Sequence, residues 1–314
     1  ALTCTSGITS MANLFNQKQT FNQDISHWDV SNVTNMQNMF WSADSFDQPI
    51  NVWDVSSVTN MVGIFGRANS FNQDIGSWNV SSVTNMTGLA IWTQNFNSDL
   101  SSWDVSNVTS LRHAFLDARA FNQDISSWDV SNVTDMNSTF TGANSFNQDI
   151  SSWDVSKVTD MSRLFTGATS FNQDINSWDV SNVKDMWNMF AGAHTFSQPL
   201  NSWDVSSVTV MDNMFAGADV FNHDLTSWCI AEFSEEPEGF STNSPLQENF
   251  KPDWGVECGT NINPDFYIAS NGVTCMCPDA DFGDTGTLTI NGVDKTFTKR
   301  TKAQLDAIIE NDQQ

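Results

Sequence analysis

Basic residues are scarce in this chain: 12 Lys and Arg stand against 37 Asp and Glu, a formal net charge of -25 at pH 7. Such a surface repels nucleic acid and anionic membranes and favours cations or basic partners. No apolar run approaches the ~18 residues of a membrane-spanning helix, and no basic-then-apolar leader opens the sequence. Because it starts at Ala1 rather than Met, the chain reads as a mature or internal piece of something longer. Histidine is rare. His27, His113, His194 and His223 are scattered, and none recurs with Cys or carboxylate at zinc-ligand spacing. Cys275-Met276-Cys277 is C-x-C and not the C-x-x-C of a redox site, and neither a Gly-rich phosphate loop nor a nucleophile elbow is present. These absences point away from an enzyme.

What the chain has instead is one phrase said repeatedly. Phe21, Phe46, Phe71, Phe96, Phe121, Phe146, Phe171, Phe196 and Phe221 recur every 25 residues without insertion, bounding eight complete repeats. Seven residues after each comes Trp28, Trp53, Trp78, Trp103, Trp128, Trp153, Trp178, Trp203 or Trp228. Val30, Val33, Met36, Phe40 and Ala43 fill further fixed slots in the first copy, and a half repeat holding Ile8, Met11 and Phe15 precedes it. A catalytic site is assembled once from unlike parts, so near-identical text at a fixed period signals a shape that extends. One 25-residue coil cannot enclose its own apolar face, and stacked coils bury it on their neighbours. At about 4.8 Å per parallel step, eight to nine coils would span about 40 Å.

Within a repeat, the spacing I-x-x-W-x-V predicts a strand near residues 25–30 with Trp and Val pointing inward. The following V-T-N-M-Q-N-M-F offers Thr34 as an N-cap, and Met36 and Phe40 on one face, which predicts a single helical turn. Ala90 stands where other copies have Phe, and the reading is that Ile91 or Trp92 fills the gap. Pro49 and Pro199 replace Asp, and Cys229 replaces the Asp of W-D-V.

Polar rows run beside the apolar ones. Asp29, Asp54, Asp104, Asp129, Asp154, Asp179 and Asp204 share one outward position, interrupted by Asn79. Carboxylates about 4.8 Å apart repel by roughly 1 kcal/mol per pair in water. Two remedies are open: Ca²⁺ or another hard cation held between coils, or turn capping by the backbone two residues on. A second row of Asp, at Asp24, Asp74, Asp99, Asp124, Asp149, Asp174 and Asp224, yields to Pro in two coils and reads as turn capping. Asn22, Asn72, Asn97, Asn122, Asn147, Asn172 and Asn222 read as a stacked amide row. Six N-x-S/T sequons, at Asn32, Asn79, Asn85, Asn107, Asn132 and Asn137, are candidate glycosylation sites for a secreted protein. A Thr row from Thr34 through Thr209 raises ice binding, which Lys184 in the same register and the Asp rows weaken.

The text F-N-x-D-I-x-x-W-D-V-S-x-V-T-x-M-x-x-M-F-x-G-A resembles the BspA-like leucine-rich-repeat family of surface proteins, over residues 8–230. The resemblance implies a right-handed solenoid exposed at the cell surface, with roles in adhesion or surface coats and no catalysis. The expected fold is thus an α/β repeat: a leucine-rich-repeat-like solenoid with a parallel sheet over 1–230, a cap over 231–264, and a β-hairpin plus helix over 265–314.

After Ile230 the period is lost in a segment rich in Pro, Glu and Ser, as a cap for the last coil requires. A Cys229–Cys258 disulfide is expected to staple it, contributing about 3–4 kcal/mol. Leu288, Ile290, Asn291-Gly292, Val293 and Phe297 predict a hairpin. Leu305, Ile308 and Ile309 lie at helical spacing, and so short a helix must dock to persist. In similar proteins such a lead-in precedes a C-T-S-G-I-T segment, here residues 4–9, which suggests one unit of a tandem array. Cys4, Cys275 and Cys277 remain, split between the ends, so a bond from Cys4 of one unit to Cys277 (or Cys275) of the next is expected. Lys295, Lys299, Arg300 and Lys302 would face the acidic body of that neighbour. The functional expectation is a non-catalytic structural unit of a filament or coat. The rival is an adhesin that binds a glycan or protein through its polar concave face.

Overall fold

The computed structural model describes residues 5–230 and 232–254, together with the backbone of 266–269, 274–276, 285–290 and 293–300. The chain divides into two compact units, Ala1–Glu257 and Cys258–Gln314.

In the first unit, each 25-residue copy lies on the next in parallel register. Single bridges run Ser10↔Asn35↔Asn60↔Asn85↔Ser110↔Asp135↔Asp160↔Asp185↔Val210. The backbone bridges fall where a helical turn is predicted, and not at residues 25–30, where no strand forms. The N–H groups of Met36, Asn38, Phe40 and Ser42 donate to the carbonyls of Asn60, Val62, Ile64 and Gly66 in the next coil, at 2.8–2.9 Å. Between them, Met39, Trp41 and Ala43 donate back to Met36, Asn38 and Phe40 within the coil. Alternate peptides thus serve the neighbour and the local turn.

The helix fails because two residues per coil sit in the left-handed region. Asn38 has φ 50° and Ser42 φ 54°, and the same two places hold Gly63 and Arg67, Gly88 and Trp92, Ser138 and Gly142, Asn188 and Gly192. A left-handed residue inside a helical turn redirects its peptide, and here that aims N–H groups along the stack. Glycine bears this conformation without a Cβ clash, which accounts for the G-A of the later copies. Thr34, the expected N-cap, sends its hydroxyl to the Thr9 carbonyl instead.

The core is continuous. Val30, Val33, Met36, Phe40, Ala43 and Phe46 are fully enclosed, as are their counterparts in later coils. Phe rings pair within a coil, as Phe40 with Phe46 at 4.0 Å, and stack between coils, as Phe40 on Phe65 at 5.9 Å. Trp53 to Trp228 are 2–4 % exposed. Each indole N–H donates to a carbonyl of the coil below, Trp128 to Leu100 at 3.0 Å and Trp228 to Leu200 at 2.8 Å.

Residues 232–254 close the far end by imitating a coil. Asn213, Phe215 and Gly217 donate to Glu238, Phe240 and Thr242, and Gly239 and Asn243 take up the two left-handed places with φ 67° and 60°. Phe240 and Leu246 are buried, Trp254 packs edge-on against Phe240 at 5.1 Å, and a 3₁₀ turn spans Glu248–Phe250. Cys229 is disulfide-bonded. Its expected partner Cys258, and Cys4 and Cys277, lie outside the described residues.

The second unit contains a four-stranded sheet. β1 (Phe266–Ala269), β2 (Thr274–Met276), β3 (Thr285–Ile290) and β4 (Val293–Arg300) are antiparallel in the order β2-β1-β4-β3. The predicted hairpin is β3–β4, with Ile290 opposite Val293. β1 and β2, over F-Y-I-A and T-C-M, have no counterpart in the sequence reading. The helix expected around Leu305, Ile308 and Ile309 lies outside the described residues.

Candidate functional site

Three surfaces of the stacked coils carry chemistry: an acidic groove, an outer aromatic patch and the open first coil.

The groove is built on the W-D-V-S segment. Every Asp of the Asp29 row accepts the N–H of the Ser two residues on, at 3.0–3.1 Å. In Asp29, Asp54, Asp104 and Asp179 the Ser hydroxyl adds a 2.6 Å bond. Donation by the Ser hydroxyl, then by the Ser N–H, holds the carboxyls of Asp29, Asp54, Asp104 and Asp154 below the usual range. Asn79 makes the same cap with Ser81. The Asp24 row caps its own turns likewise. Among the described residues no group of three or more His, Cys, Asp or Glu is arranged to hold a metal ion. Between the two rows, over Trp178, opens a groove of about 780 Å³ lined by Asp149, Asp174, Asn176, Asp179, Ser202 and Asp204.

The sequence reading missed a third acidic row. Asp135, Asp160 and Asp185 occupy consecutive bridge positions, with Arg112 3.6 Å from Asp135 and 3.9 Å from Asp160. Burial, then the Asp160 and Asp212 charges, pushes the Asp185 carboxyl up. The switch from Asn60 and Asn85 to Asp at this position is the signal that marked it.

Other rows are spent on the stack. Asn72, Asn97, Asn122 and Asn147 each accept an N–H from the next coil at 2.7–2.9 Å. Thr59, Thr109, Thr134 and Thr209 turn their hydroxyls onto carbonyls of the preceding coil. Of the sequons, Asn32, Asn107 and Asn132 donate their amides to carbonyls below. Asn79 and Asn85 cap turns through their amide oxygens, and Asn137 donates to Ser162.

The aromatic patch gathers departures from the repeat. Trp41 lies over Gly63 and Gly66, where a Cβ on Gly66 would overlap the ring. It meets Trp92 edge-on at 6.0 Å, and Arg67 stacks 4.4 Å from the Trp92 centroid. Neither candidate fills the gap beside Ala90. Trp92 is on this patch, and Ile91 packs against Gly66 and Gly88. Phe96 instead settles between Phe65 and Phe115, at 6.3 and 6.4 Å, without the 4.0 Å partner its counterparts have.

Among the described residues nothing lies beneath the first coil. Ile8 and Leu14 are 37 % and 43 % exposed, Phe15, Phe21 and Trp28 are only partly buried, and a depression of about 620 Å³ runs over Leu14, Phe15, Lys18 and Phe21.

No curated protein and no solved structure shows a significant match to this chain. A family model described as "Mycoplasma protein of unknown function, DUF285" matches three overlapping stretches, residues 3–90, 77–158 and 148–254. The repeats and the cap thus carry the match, which fits a BspA-like repeat protein, and the chain belongs to that family.

Proposed function

We propose that this chain is a non-catalytic extracellular structural protein, a right-handed leucine-rich-repeat-like solenoid that serves as one unit of a head-to-tail filament or cell-surface coat. The observation that carries the reading is the asymmetry of the stack: residues 232–254 close one end, while at the other no described residue covers Ile8, Leu14 and Phe15. A heterologous contact that does not close on itself extends indefinitely. Stacking a second copy there removes apolar surface from water. Negative-stain electron microscopy and sedimentation of the full chain test this. Continuous filaments, or mass that grows with concentration, support it, and a monomer at every concentration overturns it.

A second reading, a surface adhesin, is favoured by the groove over Trp178, where carboxylates, amides and hydroxyls surround an aromatic floor. Such a lining suits the hydroxyls of a glycan. Binding to a glycan array that is lost in Asn176→Ala would support that reading.

A further inference from the structure

The two ends of the stack match each other in backbone hydrogen bonding. In each later repeat, from Asn35–Trp41 to Val210–Ala216, carbonyls at four alternate places accept N–H groups from the coil before, as Asn35, Gln37, Met39 and Trp41 accept from Met11, Asn13, Phe15 and Gln17. In the first coil the same four carbonyls are those of Ser10, Ala12, Leu14 and Asn16, and none has a donor among the described residues. The side-chain oxygen of Asn16 is also buried without a partner. The cap coil shows the converse. Its carbonyls at Glu238, Phe240 and Thr242 are taken by the coil below, and its turns repeat the local bonds Phe240 to Pro237, Thr242 to Gly239 and Ser244 to Ser241. By the same alternation, Gly239, Ser241 and Asn243 carry the N–H groups that other coils send forward. None of these has an acceptor among the described residues.

We infer that the Gly239, Ser241 and Asn243 N–H groups of one copy bond the Ala12, Leu14 and Asn16 carbonyls of a second copy, so that the stack continues across the joint. This rests on the head-to-tail reading above and names its surfaces. Pro237 occupies the fourth donor place and has no N–H, so the joint keeps three of the four bonds of a step between repeats, the same number as the step from Asn213, Phe215 and Gly217 onto the cap coil. Apolar surface agrees: the rings packed against the core but only partly buried are Phe15, Phe21 and Trp28 at one end, and Phe233, Phe250 and Trp254 at the other. Charge agrees as well. Lys18 is the only charged side chain in residues 5–23, whereas residues 232–254 hold Glu232, Glu235, Glu236, Glu238, Glu248 and Asp253 against Lys251. A helix laid across the first coil, such as the one predicted around Leu305, Ile308 and Ile309, would cover the rings. Its N–H groups beyond the first turn are spent internally, so the row of carbonyls would stay unpaired.

Ala12 and Glu238 hold equivalent places in their coils, so the joint sets them one coil step apart. That step of about 4.8 Å falls within the roughly 4.4–6.8 Å that a disulfide spans between Cα atoms. Full-length Ala12→Cys and Glu238→Cys variants, mixed and mildly oxidised, should give a dimer whose linking peptide joins residues 12 and 238. Neither variant alone should give that peptide. Leu14→Glu should weaken association about tenfold or more with an unchanged unfolding midpoint, since Leu14 is exposed in the separate chain. If the unmodified chain assembles but no 12–238 link forms, this joint is wrong and head-to-tail assembly stands on another surface. If the unmodified chain never assembles, both fail.

Discussion

Residues 36–92 and residues 115–215 follow the same template with different fidelity. The later stretch keeps Phe115, Phe140, Phe165, Phe190 and Phe215 in one stack at 5.6–5.8 Å and an unbroken Asp row. The earlier one has Ala90 for Phe, Asn79 for Asp, and Gly63 and Gly66 under Trp41. Yet the coil-to-coil bonds pass through the irregular stretch unbroken: Phe65 donates to Leu89 at 3.0 Å and Ala90 to Ala114 at 2.8 Å, with only Met61 to Asn85 and Met86 to Ser110 lengthened, to 3.4 and 3.2 Å. The backbone ladder therefore sets the register, and the aromatic column fills the space that the ladder encloses. A missing ring costs packing without shifting a coil.

Breaking the regular stretch should cost most. Trp128→Ala removes a buried indole and its bond to Leu100, and Phe140→Ala removes a ring stacked on both sides. Each should lose about 3–5 kcal/mol in chemical denaturation. A loss under about 1 kcal/mol would mean that the enclosed rings contribute little. The reverse change sharpens the comparison: Ala90→Phe restores the column and should gain about 1 kcal/mol, seen as a raised unfolding midpoint. A lowered midpoint would show that Phe96 and Thr93 have already closed the space.

Acid should act on the Asp row. The capped carboxyls of Asp29, Asp54, Asp104 and Asp154 sit below their unfolded values, so their contribution is present above about pH 4 and is lost as pH falls through the folded values. Asp185, raised by burial, acts oppositely: it favours the fold while protonated and opposes it once ionised. Thermal melts between about pH 5 and 2 should therefore show a falling midpoint. Asp54→Asn with Asp104→Asn should flatten that fall, since Asn79 makes the same cap without titrating. The smallest effect is expected from EDTA. With turn caps offsetting the charge, the midpoint should stay put, and a drop would restore a Ca²⁺ row at Asp29, Asp54, Asp104, Asp129, Asp154, Asp179 and Asp204.

Much of this was legible because the period forces equivalence. Trp and Val at alternate places announce an inward pair, and Ser two residues after Asp announces a turn cap. The choice between strand and turn was not legible, because alternation of apolar residues fits both. Ser42, Arg67 and Trp92 in left-handed places carry no composition signal, whereas Gly142, Gly167, Gly192 and Gly217 do. The cap was legible as a break in period. That it forms a further coil was written only in Gly239 and Asn243, four apart like Asn213 and Gly217.

Between repeats, four ladder N–H groups of each coil point toward the next, while one to three backbone bonds run the other way, as Thr59 to Thr34 and Ser70 to Asp44. Peptide dipoles of about 3.5 D each therefore do not cancel as they do between neighbouring β-strands. The stack is an electret with a positive pole at Gly239–Asn243 and a negative one at Ser10–Asn16. Glu235, Glu236 and Glu238 gather at the positive pole and Lys18 at the negative, so the side chains of each end neutralise a field that the backbone generates.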